Sequence, residues 1–121
     1  MLNRKIEGDS IVIYDDRASI LTIFEEETDR GVVVKLVGEL RSETVHDIQD
    51  ELVALITVGA NIMVDFTEVT YIASTAQHLF LRVQQKIDDI GRGVLTLQNL
   101  PAPIYQEFEK SGTSELLMIE N

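Results

Sequence analysis

A chain of 121 residues with a formal net charge of −11, 45% hydrophobic and 26% charged, has ordinary globular composition. Its length is that of one domain, enough to bury roughly two-thirds of the surface exposed by the unfolded chain. The charge repels a phosphate backbone or an anionic membrane surface, and the absence of cysteine excludes a disulfide framework or a thiolate metal site. No apolar run reaches the ~20 residues of a spanning helix, and the first residues, MLNRKIEGDS, lack a signal-peptide core, so a cytoplasmic location is expected.

Residues 1–17 read as an N-terminal extension, with 18–121 as the domain proper. Within the extension, Ile11-Val12-Ile13-Tyr14 has strand character, closed by Asp15-Asp16, and suits pairing with a sheet edge. Ile20 to Phe24 and Val32 to Leu36 are β-branched runs separated by Glu25-Glu26-Glu27-Thr28-Asp29-Arg30-Gly31, which predicts a hairpin with a solvated acidic turn. The turn lacks the glycine-punctuated ligand alternation of a calcium loop, so no metal is assigned to it. After Gly38-Glu39-Leu40, Thr44 is placed as a helix N-cap with Asp47 as the partner of a capping box. Val45, Ile48, Leu52 and Leu55 form the apolar stripe of that helix, and His46, Asp47, Gln49, Asp50 and Glu51 its wet face, ending near Gly59.

The stretch Ile62 to Leu81 organises the rest. Ile62-Met63-Val64 reads as a strand that closes on Asp65-Phe66-Thr67, and Val69 to Ile72 as a second short apolar piece. A helical pattern follows Ser74 and Thr75, with Ala76, Phe80, Val83, Ile87 and Ile90 recurring at spacings of four and three. Gly91 and Gly93 end that helix and lead into the strand Val94 to Leu97. Pro101 and Pro103 open a third helix around Ile104 to Lys110, stopped by Ser111-Gly112, and Leu116 to Ile119 closes the chain. Strand and helix alternate from Val32 onward, which predicts a largely parallel sheet behind an antiparallel hairpin.

No enzyme signature emerges from these residues. Ser74 and His78 stand four apart on one helix, but no G-x-S-x-G elbow frames the serine, and the glycines are scattered at element ends instead of forming a phosphate loop. Asp65 is expected to bond amides of the residues that follow it. Ser74 and Thr75 are expected to cap the helix, and a phosphate at that N-terminus would be accommodated by its free N–H groups.

The run Asp65-Phe66-Thr67-Glu68-Val69-Thr70-Tyr71-Ile72-Ala73-Ser74-Thr75-Ala76 resembles the signature of STAS domains, the anti-sigma-factor antagonists. Those read Asp-Leu-Ser, three variable residues, two apolar or aromatic residues, then Asp-Ser-Ser/Thr-Gly. Val37-Gly38-Glu39-Leu40 is similar to the Gly-Glu-Leu-Asp of the family, and Phe108 to Gly112 with Met118-Ile119 to its last helix and closing strand. The resemblance spans about Ile20 to Ile119. It implies an α/β fold with a mixed sheet of about four to five strands, a front β-hairpin and about three to four helices.

It further implies a non-enzymatic bacterial signalling protein that binds an anti-sigma factor with serine kinase activity, with Ser74 on the phosphoacceptor position. Three positions depart from the family pattern: Ala73 and Ala76 replace Asp and Gly, and Arg41 stands where the family has Asp. The partner surface is expected to centre on Ala73, Ser74, Thr75, Ala76 and Gln77, with Arg41 and Ser42 alongside. No cofactor is expected. The alternative is a STAS-like structural or regulatory subunit of a larger complex, a stressosome-type particle or a transporter, working without phosphorylation, with self-association by edge pairing of the N-terminal strand.

Overall fold

The computed structural model describes residues 2–15 and 18–121. The expected boundary between residues 17 and 18, and Asp16 of the expected Asp15-Asp16 strand closure, touch positions outside the described residues. Among the described residues seven strands form one sheet whose spatial order follows the chain: β1 (Asn3–Glu7), β2 (Ser10–Tyr14), β3 (Ser19–Thr28), β4 (Gly31–Leu40), β5 (Asn61–Ile72), β6 (Val94–Gln98) and β7 (Ile119–Glu120). β1 to β4 pair antiparallel, and β4 to β7 pair parallel. The parallel connections carry α1 (Val45–Thr57), α2 (Ser74–Ile90) and α3 (Ala102–Ser111), as a parallel pair requires a crossover. The sheet exceeds the expected four to five strands because the N-terminal residues contribute a complete hairpin, β1 with β2, which pairs with β3.

β5 is one strand, where the sequence reads as two pieces. Its buried residues are Ile62, Val64, Phe66, Val69 and Ile72, so the spacing changes from two to three after Phe66. The ladder with β4 shows why: Lys35 pairs Asp65 but Val37 pairs Glu68, and Gly38 pairs Val69 but Glu39 pairs Tyr71. β5 therefore carries an extra residue at each place, and each bulge resets which face the next side chains meet. On the partner strand Gly38 has φ 119°, and a Cβ there would lie 2.2 Å from the Ile20 carbonyl oxygen of β3. Only glycine allows the three strands to close at this point.

The core lies between the sheet and its helices. Phe66 of β5, Phe80 of α2 and Phe108 of α3 are fully buried and in mutual contact, with ring centroids 5.4 to 6.4 Å apart in tilted and edge-on arrangements. Val83 and Ile87 continue the buried stripe of α2. Ile90, expected on that stripe, is half exposed, since the helix reaches the end of the sheet there and turns off at Gly91 in the left-handed region. On α1 the buried set is Val45, Ile48, Leu52 and Ile56, with Leu55 only partly covered.

Charged residues depart most from expectation. β3 runs to Thr28, so Glu25, Glu26 and Glu27 lie in a strand, and the turn is only Asp29-Arg30. Asp47 is buried and ion-paired with Arg4 of β1, so the N-terminal hairpin covers a helix position expected to be wet. Thr44 holds the N-cap position of α1 as expected, but its hydroxyl makes no capping hydrogen bond: it turns back to accept from the Arg41 amide at 3.1 Å and donate to the Arg41 carbonyl at 3.0 Å, closing a 3-10 turn at Ser42–Thr44. Glu25 is part-buried against Glu51 of α1, and burial first, then sharing of a proton with Glu51, pushes its pKa up to about 7.

Two outcomes follow. Truncation of Phe108 to Ala should lower the free energy of urea unfolding by about 3–5 kcal/mol, because three elements lose a common contact. The raised carboxyl of Glu25 favours the fold fully below the ordinary pKa of 4.5 and loses that contribution as pH rises through about 7. Glu25→Gln should therefore match the wild type at pH 4.5 and exceed it at pH 8 by about 1 kcal/mol in urea unfolding, a figure reduced for solvent screening.

Candidate functional site

The parallel ladder of β4 and β5 ends with Leu40 opposite Ile72, which brings two distant segments side by side. The Ala73 amide donates to the Leu40 carbonyl at 2.9 Å. Beyond it the hydroxyls of Ser42 and Thr75, one at the 3-10 turn and one in the first turn of α2, lie 2.9 Å apart. Arg41, Ser42, Ala73, Ser74 and Thr75 thus form one surface at the end of the sheet. Ser42, Ser74 and Thr75 are exposed, and the Ser74 hydroxyl makes no hydrogen bond among the described residues.

Ser74 is not the cap of α2. Ala73 occupies that position with extended backbone, φ −79° and ψ 155°, and Ser74 is the first helical residue. The Ala73 carbonyl accepts from the amides of Ala76 at 3.0 Å and Gln77 at 3.2 Å, and no side chain caps the helix. The serine hydroxyl is therefore free to point outward instead of folding onto the backbone. It makes no hydrogen bond with His78, also exposed, so the pair four residues apart does not assemble a nucleophile and base.

Ala76 does not join the surface, and Gln77 reaches it only in the lining of a neighbouring groove. Ala76 is fully buried on the core stripe. Gln77 is buried too, and its carboxamide oxygen accepts from Ser111 at 2.7 Å and from Thr113 at 3.5 Å. That network ties the first turns of α2 to the end of α3, a role for Gln77 that the sequence did not disclose. Its only trace in the chain is the pair of hydroxyl residues flanking Gly112.

Arg41 is held by Glu39, Nη to Oε at 2.7 Å, and this hydrogen bond is the main reason its pKa is raised. Asp65 lies in mid-strand, seven residues before Ile72, and is not part of the surface. Burial pushes its pKa up, but hydrogen bonds from the Thr67 hydroxyl at 2.6 Å, the Thr67 amide at 2.9 Å and Asn99 at 3.3 Å outweigh it, leaving the carboxyl below its usual range. The expected bond from Asp65 to a following amide is thus present. Among the described residues no group of three or more His, Cys, Asp or Glu side chains is placed to hold a metal ion, and no helix is long and apolar enough to cross a membrane.

A sheet-end surface of hydroxyls at the start of a long helix, on a mixed sheet with crossover helices, defines a class. The family profile described as Mlab, STAS domain matches residues 23–119, and the chain belongs to this STAS-domain family. No curated protein matches the chain. Among solved structures it is similar to the anti-sigma factor antagonist SpoIIAA in its unphosphorylated form, with a TM-score of 0.67 and 24% identity over 82% of this chain and 88% of that one. The Bacillus cell fate determinant SpoIIAA in its phosphorylated form gives 0.62 at 24% identity, over 82% and 91%. An anti-sigma factor antagonist from Mycobacterium paratuberculosis gives 0.69 at 15% identity, over 82% and 84%. At these identities the likeness is one of fold.

The uncapped start of α2 can be tested directly. Ala73→Asp places an acceptor where the amides of the first turn lack a side-chain partner, and should raise thermal stability by about 0.5–2 kcal/mol. Ala73→Asn, which caps without charge, should recover most of that gain.

Proposed function

We propose that this protein is a partner-switching regulator of the anti-sigma-factor-antagonist kind, without catalytic activity of its own, whose docking surface is Arg41, Ser42, Ala73, Ser74 and Thr75. The observation that carries the reading is the exposed, unbonded Ser74 hydroxyl at the first position of α2, braced by the Ser42–Thr75 contact across the sheet end. One STAS protein of similar fold, SpoIIAA, exists in unphosphorylated and phosphorylated forms. Ser74 is the residue of this chain suited to the same modification, by an anti-sigma factor with serine kinase activity. A phosphate there adds roughly −1.5 to −2 charges without disturbing the core, because the side chain points away from it. The helix N-terminus tolerates that charge, while a partner lying flat on the surface must desolvate it. Arg41 and Ala73 replace two acids of the family pattern, so the partner surface facing them is expected to be less basic than an ordinary anti-sigma factor's.

The test is affinity capture on the full chain, with the bound protein identified and its affinity measured against variants. Ser74→Asp should weaken binding by about tenfold or more, and Ser74→Ala should leave it within about twofold, because Ser74 is not the cap. Equal binding by all three proteins would overturn a charge-sensitive interface.

A second reading, a structural subunit of a larger complex, is favoured by one feature. Every residue of β1 is exposed, and its outer edge is open for strand addition by another chain. Light scattering by the full chain would then show a particle that Ile6→Pro reduces to the monomer.

A further inference from the structure

Beside Ser74, on the side away from Ser42, the end of β5 and the first turns of α2 and α3 enclose a groove of about 410 Å³. Tyr71, 49% exposed, lines it together with Pro103, Ile104 and Glu107. Gln77 contributes to the lining from within. Its carboxamide oxygen is engaged by Ser111 and Thr113, and its nitrogen makes no hydrogen bond among the described residues, so a donor is left for whatever enters.

Glu107 is only loosely paired. Its one ion-pair partner among the described residues, Lys110, lies at 3.8 Å and is itself 73% exposed. The lining of this one groove therefore includes a carboxylate, an aromatic ring, apolar side chains and an amide donor. That set matches a guanidinium on an apolar stem: the charge for Glu107, the plane for Tyr71, the methylenes for Pro103 and Ile104. The donor of Gln77 suits a carbonyl of the segment that carries it. Attraction for a basic segment is reinforced by the net charge of −11.

We propose that this groove seats an arginine side chain of the partner protein, as an anchor beside the Ser74 surface. This rests on the partner-docking reading above and specifies the chemistry of the partner. Seating an arginine here fixes the partner's orientation through a bidentate, planar contact, which a flat hydroxyl surface does not provide alone.

The probe is N-acetylarginine methylamide, titrated into the isotopically labelled full chain and followed by amide NMR, with the citrulline analogue as a neutral isostere. The arginine compound should shift the Tyr71, Ser74 and Glu107 backbone amides and the Gln77 side-chain NH2, and citrulline should bind more weakly by about two- to fivefold, the scale of one exposed ion pair. Glu107→Gln should remove that preference while leaving the spectrum of the free protein otherwise native. Equal binding of both compounds, shifts confined to other surfaces, or no shifts would overturn the proposal. A captured partner that loses affinity with Ser74→Asp but keeps it with Glu107→Gln would overturn the anchor while the docking surface stands.

Discussion

Everything at the candidate site depends on the meeting of Phe66, Phe80 and Phe108, which locks β5, α2 and α3 together. The first bulge of β5 follows Phe66 directly, so the ring is the last side chain in strict alternation before the strand changes step. From there Val69 and Ile72 carry the chain to the sheet end, and α2 starts with its stripe already pointed back at the same cluster. The orientation of α2 about its axis, and with it the outward placing of Ser74, is therefore a consequence of aromatic packing almost two helical turns further on.

The hydrogen bonds at the sheet end are the second layer of that arrangement. The Ala73–Leu40 bond extends the β4–β5 ladder by one contact past the last paired residues, and the Ser42–Thr75 contact joins the two segments that leave it. The Gln77–Ser111–Thr113 network anchors the inner side of the same helical turn to α3. Ser74 thus sits on a turn held from both sides while its own hydroxyl is left unbonded. A modifiable residue needs this combination, since rigidity around it turns a local charge into a change of surface instead of a local unfolding.

Much of the architecture was legible in the chain because it follows from periodicity. The α2 stripe, the glycine stops and the prolines opening α3 located three crossover units, and the family resemblance placed the serine. What escaped notice has particular causes. The β5 bulges broke a period of two into a mixture of two and three, so one strand read as two. Glu25 to Glu27 read as a turn because three acids in a row imitate a loop, although pairing with Val32 to Val34 keeps them in the ladder. Asp47 read as solvated because the Arg4 that pairs with it lies in a separate hairpin. At the site, Ala73 and Ser74 were legible as neighbours of a helix start, but which one occupied the cap position depended on backbone geometry. Gln77 was hidden because its partners lie more than thirty residues away.

The central claim is that the Ser42–Ser74–Thr75 surface is where a partner docks and that charge at Ser74 governs the docking. Photo-crosslinking in the cells that make the protein tests it most directly, with the reactive amino acid placed at Ser42 in one variant and at Gln98, away from the site on the sheet, in another. The account predicts one defined protein adduct from position 42, none of that mass from position 98, and loss of the adduct when Ser74→Asp is added. An adduct formed equally from both positions, or one from position 42 that persists undiminished in the Ser74→Asp background, would contradict it.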